Sequence, residues 1–277
     1  MSRRDALRGL LALLALPGNK ALAGPPDQRL VSVGGGVTET VFALGAGSRL
    51  VGVDTTSTWP EAARQLPTVG YQHALPVEGI AALRPSAVLH DGSAGPERTL
   101  RRLQRLGIDE VVLPGAPTLE GFRRRTLELG AMLGATDRAR EMVSAVDLEI
   151  ARVRETMPQQ PPRAAFLMSH GEGAAVVAGR ETKADALLDL AGGQNVFTEF
   201  RGYRPVGREA LLAKRPDVVL TTGSAASGFA PVDAPVLHGD TLFWLGFGPR
   251  LGEAVAEVAV FLRNPVVRRS PVDGVTA

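Results

Sequence analysis

The chain contains an internal echo, and the echo constrains its architecture more than any other feature. Gly70-Tyr71, Pro76-Val77-Glu78 and Leu83-Arg84-Pro85-Ser86-Ala87-Val88-Leu89 stand in the first half. Gly202-Tyr203, Pro205-Val206-Gly207-Arg208-Glu209 and Lys214-Arg215-Pro216-Asp217-Val218-Val219-Leu220 stand in the second. In each half a glutamate lies seven residues before the proline of an Arg-Pro pair, and an apolar run follows. The two Gly-Tyr pairs hold the only tyrosines of the chain. A sequence built this way predicts two related lobes, and two lobes leave a cleft between them where ligands bind.

The rest of the pattern agrees. Leu30–Val33, Leu50–Val53, Ala87–Leu89 and Val111–Leu113 are short apolar runs rich in β-branched residues, separated by helix-like or turn-rich sequence. Ala164–Met168 and Val218–Thr221 begin a second such series. Alternation of this kind predicts βα units and mainly parallel sheets. Between the two series, Ala139, Met142, Val143, Val146, Ile150, Val153 and Met157 recur at helical spacing. Asp137–Met157 therefore reads as one amphipathic helix about 30 Å long, stopped by Pro158, Pro161 and Pro162. The expected fold class is α/β: two α/β lobes joined by one long α-helix, with the ligand cleft between the lobes. The boundaries are 24–136 for the N-terminal lobe, 137–157 for the helix and 158–277 for the C-terminal lobe.

Residues 1–23 read as a cleavable export signal: Arg3 and Arg4, the apolar run Leu10–Leu16, Pro17-Gly18, then Ala21-Leu22-Ala23. Ser2-Arg3-Arg4-Asp5 also has a twin-arginine look. Seven apolar residues cannot span a bilayer, which takes about 20. The expected mature chain starts near Gly24 in a periplasm. The formal charge of +2 comes from this leader, and the remainder is slightly negative, so a nucleic-acid partner has no electrostatic basis. The absence of cysteine removes disulfides, thiolate metal sites and thiol nucleophiles.

Thr68-Val69-Gly70-Tyr71-Gln72, followed by Val77-Glu78-Gly79-Ile80-Ala81-Ala82-Leu83-Arg84-Pro85, resembles the haem-binding substrate-binding proteins of bacterial haem ABC importers. The opening Gly34-Gly35-Gly36-Val37-Thr38-Glu39-Thr40, Val177-Ala178-Gly179, Ala191-Gly192-Gly193-Gln194-Asn195 and Gly246-Phe247-Gly248-Pro249-Arg250 are similar to further segments of that family. The resemblance covers nearly all of residues 29–263. Much of it is shared with relatives that bind vitamin B12 or ferric siderophores, and the Gly-Tyr segment is the more specific mark of haem. It implies a periplasmic, monomeric carrier of haem b (hemin) that serves an inner-membrane ABC permease dimer with its ATPase.

The resemblance also assigns residues. It makes Tyr71 the iron ligand, which is chemically sound because a phenolate is a hard anionic oxygen that favours Fe(III). Relatives often carry a basic residue just after this tyrosine; His73 stands there instead. Some relatives ligate from the opposite lobe with a histidine in the segment that here reads Phe166-Leu167-Met168-Ser169-His170-Gly171, which makes His170 the second candidate. Tyr203 mirrors Tyr71 and is expected to line the cleft. Arg180, and Gly35-Gly36 with Thr38 ahead of a helix, are candidates for contacting propionates through charge and backbone N–H groups. In the resembling proteins one glutamate on each lobe meets permease arginines; Glu78 and Glu209 hold those places, and a first-turn helix-stabilising role is their alternative. His90 and His238 are read as strand-end or loop residues without a role. No G-x-G-x-x-G, Walker, H-E-x-x-H or G-x-S-x-G pattern occurs, so an exported hydrolase is the remote alternative.

Overall fold

The computed structural model describes residues 28–168, 176–223 and 234–265; the leader 1–23 and His170 lie outside them. The first lobe runs β1 (Leu30–Val33), α1 (Gly35–Ala43), β2 (Leu50–Val53), α2 (Glu61–Arg64), α3 (Val77–Ala82), β3 (Ala87–His90), α4 (Glu97–Arg105), β4 (Asp109–Val112) and α5 (Leu119–Leu133). Helix α6 (Thr136–Glu155) follows. The second lobe contains β5 (Arg163–Met168), β6 (Val176–Ala178), α7 (Lys183–Leu190), β7 (Gln194–Asn195), β8 (Tyr203–Pro205), α8 (Arg208–Ala213), β9 (Val218–Thr222), β10 (Val236–Gly239), α9 (Thr241–Leu245) and α10 (Leu251–Arg263).

The first sheet is parallel throughout, in the order β2-β1-β3-β4. In the second, β7, β5, β9 and β10 repeat that parallel arrangement. Antiparallel β6 occupies the far end of the same β5 edge, and β8 pairs with β6. Strands β1 and β2 have the bounds their apolar runs predict. Strand β4 instead starts at Asp109, because pairing with β3 extends into polar residues that hydropathy does not mark.

Helix α6 ties the lobes through two cores. Ala139 packs with Val37, Val41, Leu129 and Leu133 of the first lobe. Val146, Ile150 and Val153 pack with Phe166, Leu187, Trp244 and Val255 of the second. Met142 touches both cores. The helix stops at Glu155, short of the predicted Met157, where the Thr156 hydroxyl takes the Val153 carbonyl at 2.9 Å; Met157 still packs on the core.

The echo becomes a repeated mechanical unit. Glu78 and Glu209 each occupy the second position of a six-residue helix, α3 or α8. Two residues beyond each helix stands an arginine with φ 47°, Arg84 or Arg215. The residue just before β1, Arg29, donates Nη2 to Leu83 O (2.8 Å) and Nε to Arg84 O (3.2 Å). Arg163, which opens β5, does the same to Lys214 O (2.7 Å) and Arg215 O (3.5 Å). These are carbonyls that a helix end leaves without intrahelical partners. One arginine therefore ties the end of each short helix to the first strand of its sheet.

The lobes meet tightly beside the cleft. A Cβ on Gly36 would collide with the Gly246 carbonyl, and one on Gly35 with Leu242 and the Thr56 carbonyl. Arg250 pairs with Glu39 of the opposite lobe and lies over the rings of Trp59 (4.9 Å) and Phe243 (5.0 Å). Buried Arg125 on α5 donates to the Phe247 carbonyl of the second lobe.

Candidate inter-lobe binding site

The site starts from a pinned loop. Gly70 adopts φ 97°, a conformation open to glycine and strained for other residues. Its carbonyl accepts from Thr55 N at 2.9 Å, and Gly95 N donates to Gln72 O at 2.8 Å. Ala74 N closes the turn onto Tyr71 O at 2.8 Å. Tyr71 is thus presented from a fixed backbone while its side chain stays 39% exposed. Its hydroxyl has no hydrogen-bond partner among the described residues, and its ring meets His73 edge-on with centroids 5.2 Å apart.

Tyr71 and His73 open into a cavity of about 650 Å³ whose wall comes from both lobes. Gly34–Gly36, Thr55, Thr56 and Asp91 belong to the first lobe; Met168, Lys183, Tyr203, Leu242 and Leu245 belong to the second. That volume falls within the roughly 300–1,000 Å³ of small-molecule sites. Among the other concavities, one of about 820 Å³ lies apart, and one of about 580 Å³ adjoins the Tyr71 cavity through Thr58 and Asp240. The larger is lined by Asp185, Asp189 and Asn195, the smaller by Trp59, Arg64 and Arg250; neither contains a tyrosine.

Tyr203 lines the same cavity but in another state. It opens β8 and packs against the second core. Burial pushes its hydroxyl above the usual tyrosine value, against opposing hydrogen bonding from the Ala184 backbone and the Thr182 side chain. The two mirrored tyrosines therefore differ in access: Tyr203 is drawn in against the core, whereas the Tyr71 side chain stands open to the cavity.

Several sequence expectations change place. Gly35, Gly36 and Thr38 do not precede a helix; they form the first turn of α1. The Gly34 and Gly35 amides are already used, by Asp54 Oδ1 and Thr56 Oγ1, both at 2.9 Å. Thr38 is fully buried and bonded to Ser32 (2.8 Å) and Ser57 (2.7 Å). What the glycines at 35 and 36 permit is close lobe-to-lobe approach. Arg180 is exposed, bridged through its backbone to Arg201, and not on the cavity wall. The chain leaves β5 at Met168, which does line the cavity, two residues before His170. His90 is buried at the end of β3 and bonded to Glu110 at 3.0 Å. Glu78 and Glu209 are both exposed, Glu78 within 3.6 Å of Arg102.

The basic group in the cleft is one the sequence reading passed over. Lys183, the first residue of α7, pairs across the cleft with Asp91 just after β3, Nζ to Oδ2 3.1 Å. Burial alone pushes the Asp91 carboxyl up. The Lys183 charge, with the Ser93 hydroxyl and Arg125 charge, overcomes it and holds Asp91 at about 2. A visible signal was the Thr182-x-x-Asp185 helix start, whose Thr182 hydroxyl accepts from Asp185 N at 3.0 Å and so fixes the lysine at the lobe edge.

Residues 30–237 match the family model described as periplasmic binding protein. Among solved structures, the chain is similar to the periplasmic heme-binding protein RhuT of Roseiflexus sp. RS-1 in apo form. Identity is 31%, coverage 86% of this chain and 99% of that one, and the TM-score 0.78. It is also similar to a periplasmic heme binding protein of Pseudomonas aeruginosa, at 34% identity, 88% and 96% coverage, and TM-score 0.75. A vitamin B12-binding protein of Yersinia pseudotuberculosis is 27% identical over 223 residues, 80% of this chain and 76% of that protein. With three quarters of its length matched and two lobes meeting over a shared cavity, the chain belongs to the periplasmic binding protein family, whose members are substrate-binding proteins of ABC importers rather than enzymes.

Proposed function

We propose that this protein captures haem, as hemin, in the inter-lobe cleft and delivers it to an inner-membrane ABC permease with its ATPase. The observation that carries the reading is Tyr71: a half-exposed phenol on a pinned loop, opening into the cavity without an internal partner among the described residues. Its phenolate would bind Fe(III) directly. Leu242, Leu245 and Met168 supply apolar wall for a porphyrin face. His73 stands within ring contact of the ligand tyrosine, and His170 is the proposed partner from the second lobe. The heme-binding names of the two solved structures reported above, at 31% and 34% identity, support haem. Glu78 and Glu209, repeated at the starts of α3 and α8, are the proposed docking charges, one per lobe. The protein is expected to act as a monomer in the periplasm after loss of residues 1–23.

The vitamin B12-binding relative keeps a second reading open, in which the cleft takes a corrinoid or a ferric siderophore. Absorption titration of the mature protein with hemin decides between them. The expected result is saturable binding with a high-spin tyrosinate spectrum that Tyr71→Ala abolishes. A flat hemin difference spectrum, with tight binding of cyanocobalamin or a ferric siderophore, would overturn the haem assignment.

A further inference from the structure

We infer that Lys183, held in place by Asp91, is the carboxylate-binding group of the cleft, and that it selects tetrapyrroles with free acid side chains over those whose side chains are amides or esters. The inference rests on the haem reading and deepens it, because haem carries two carboxylates and cobalamin carries amides.

Lys183 is the only lysine or arginine on the cavity wall among the described residues. Its ammonium has three donors, and Asp91 Oδ2 takes one at 3.1 Å. The side chain remains 28% exposed and stands on the cavity wall, with two donors not used by Asp91. Asp91 is itself only 7% exposed, and its Oδ1 has no hydrogen-bond partner among the described residues. It is shared between two cations, Lys183 and the buried Arg125, which donates to the Pro114 and Phe247 carbonyls. Asp91 is thus set against two cations. Asp240, the other carboxylate on the wall, caps α9 by accepting from Phe243 N at 2.7 Å. A ligand carboxylate at Lys183 gains a charge-assisted bond from the ammonium. A neutral amide at the same place desolvates the ammonium and leaves Asp91 as its one ionic partner there.

The test uses metal-free protoporphyrin IX and its dimethyl ester, so that iron ligation by Tyr71 plays no part. Wild type is expected to bind the free acid roughly tenfold more tightly than the ester. Lys183→Gln should bring that ratio near one, and Lys183→Arg should retain most of it. Because Lys183→Gln strands a buried carboxylate, the paired variant Asp91→Asn/Lys183→Gln is measured as well and should lose the preference equally. An acid-to-ester ratio unchanged in both glutamine variants would overturn the inference, leaving Lys183 as a structural tie. Hemin and cyanocobalamin titrations of wild type keep the two claims apart. Hemin binding with an unmoved ratio sinks this inference alone, whereas cyanocobalamin binding with neither porphyrin nor hemin bound sinks both.

Discussion

The two lobes are built on the same half-unit and differ where they face the ligand. In both, an arginine at the first strand holds the end of a six-residue helix, and a second arginine turns the chain at φ 47°. In both, an exposed glutamate sits in the first turn of that helix. The Gly-Tyr pairs then part company. Gly70 (φ 97°) sends Tyr71 out from an irregular loop, whereas Gly202 (φ 77°) feeds Tyr203 into strand β8 beside β6. Strand pairing in the second lobe is what draws Tyr203 into the core and pushes its hydroxyl up. Repetition is retained in the outward-facing connection and abandoned in the cleft. On the proposed function, a repeated outer connection beside an asymmetric site would serve a two-subunit partner on one side and a single cargo on the other.

The tyrosine contrast carries the largest expected effect. Tyr71→Phe should weaken hemin binding by more than about a hundredfold, beyond the loss usual for an outer-shell partner of a metal, and remove the tyrosinate band. Tyr203→Phe should leave that band in place. Equal spectral loss in both variants would break the distinction between the lobes.

Next comes the cross-cleft carboxylate. Asp91 titrates at about 2 in the folded protein against an ordinary 3.8, so the unfolded chain takes up its proton first. Its stabilisation is complete above pH 4 and fades as pH falls towards 2. The loss should be about 2 kcal/mol, and Asp91→Asn should flatten that part of the acid-unfolding curve. Glu39, the other inter-lobe carboxylate, is pushed up by burial despite Arg250, so its ionisation does not stabilise in the same way. An acid limb unchanged by Asp91→Asn would show that the lobes are not held through this pair.

The repeated arginines come third. Arg29→Ala and Arg163→Ala each remove hydrogen bonds to two helix-end carbonyls at an exposed site, and each should cost about 1 kcal/mol in denaturant unfolding. Their costs should match to within about 0.5 kcal/mol; a clear inequality would show that the half-units are alike in shape but not in energetics. The smallest effect tests a difference between the helix starts. Helix α3 is entered through Pro76 and α8 through Gly207, which has φ −74° and open space around it. Gly207→Pro should raise thermal stability by about 0.4–1 kcal/mol by restricting the unfolded chain.

How much of this could be read from sequence depended on distance along the chain. Strands β1, β2, β5 and β9 were legible because buried parallel strands are compact apolar runs, and α6 because its apolar stripe persists for five turns. Strands β6, β7 and β8 were not, being two or three residues long with Gln194, Asn195 or Pro205 among them. Tyr71 and Tyr203 could be placed at the cleft by the echo, but their different surroundings depend on pairing partners far away. Gly35 and Gly36 do line the cavity, but sequence cannot show that they are also a lobe contact, because a glycine pair looks the same whether a ligand or a backbone approaches it. Here Gly246, some 210 residues on, is what approaches Gly36. Arg180 follows Gly179 in the sequence, yet its backbone is bonded to Phe200 O and Gly202 N away from the cavity wall, where Lys183 at the turn into α7 stands instead.

Helix α6 gives the molecule a stiff spine, and stiffness divides labour between loading and unloading. A cavity already shaped by two lobes that share one helix and abut at Gly36 and Gly246 needs little ordering when cargo arrives, so capture is limited chiefly by encounter. The shared helix and the Gly36–Gly246 contact also restrict how far the lobes can swing apart. On the proposed function, the work of parting the lobes falls to the transporter, and cargo stays in the cleft until the carrier meets it.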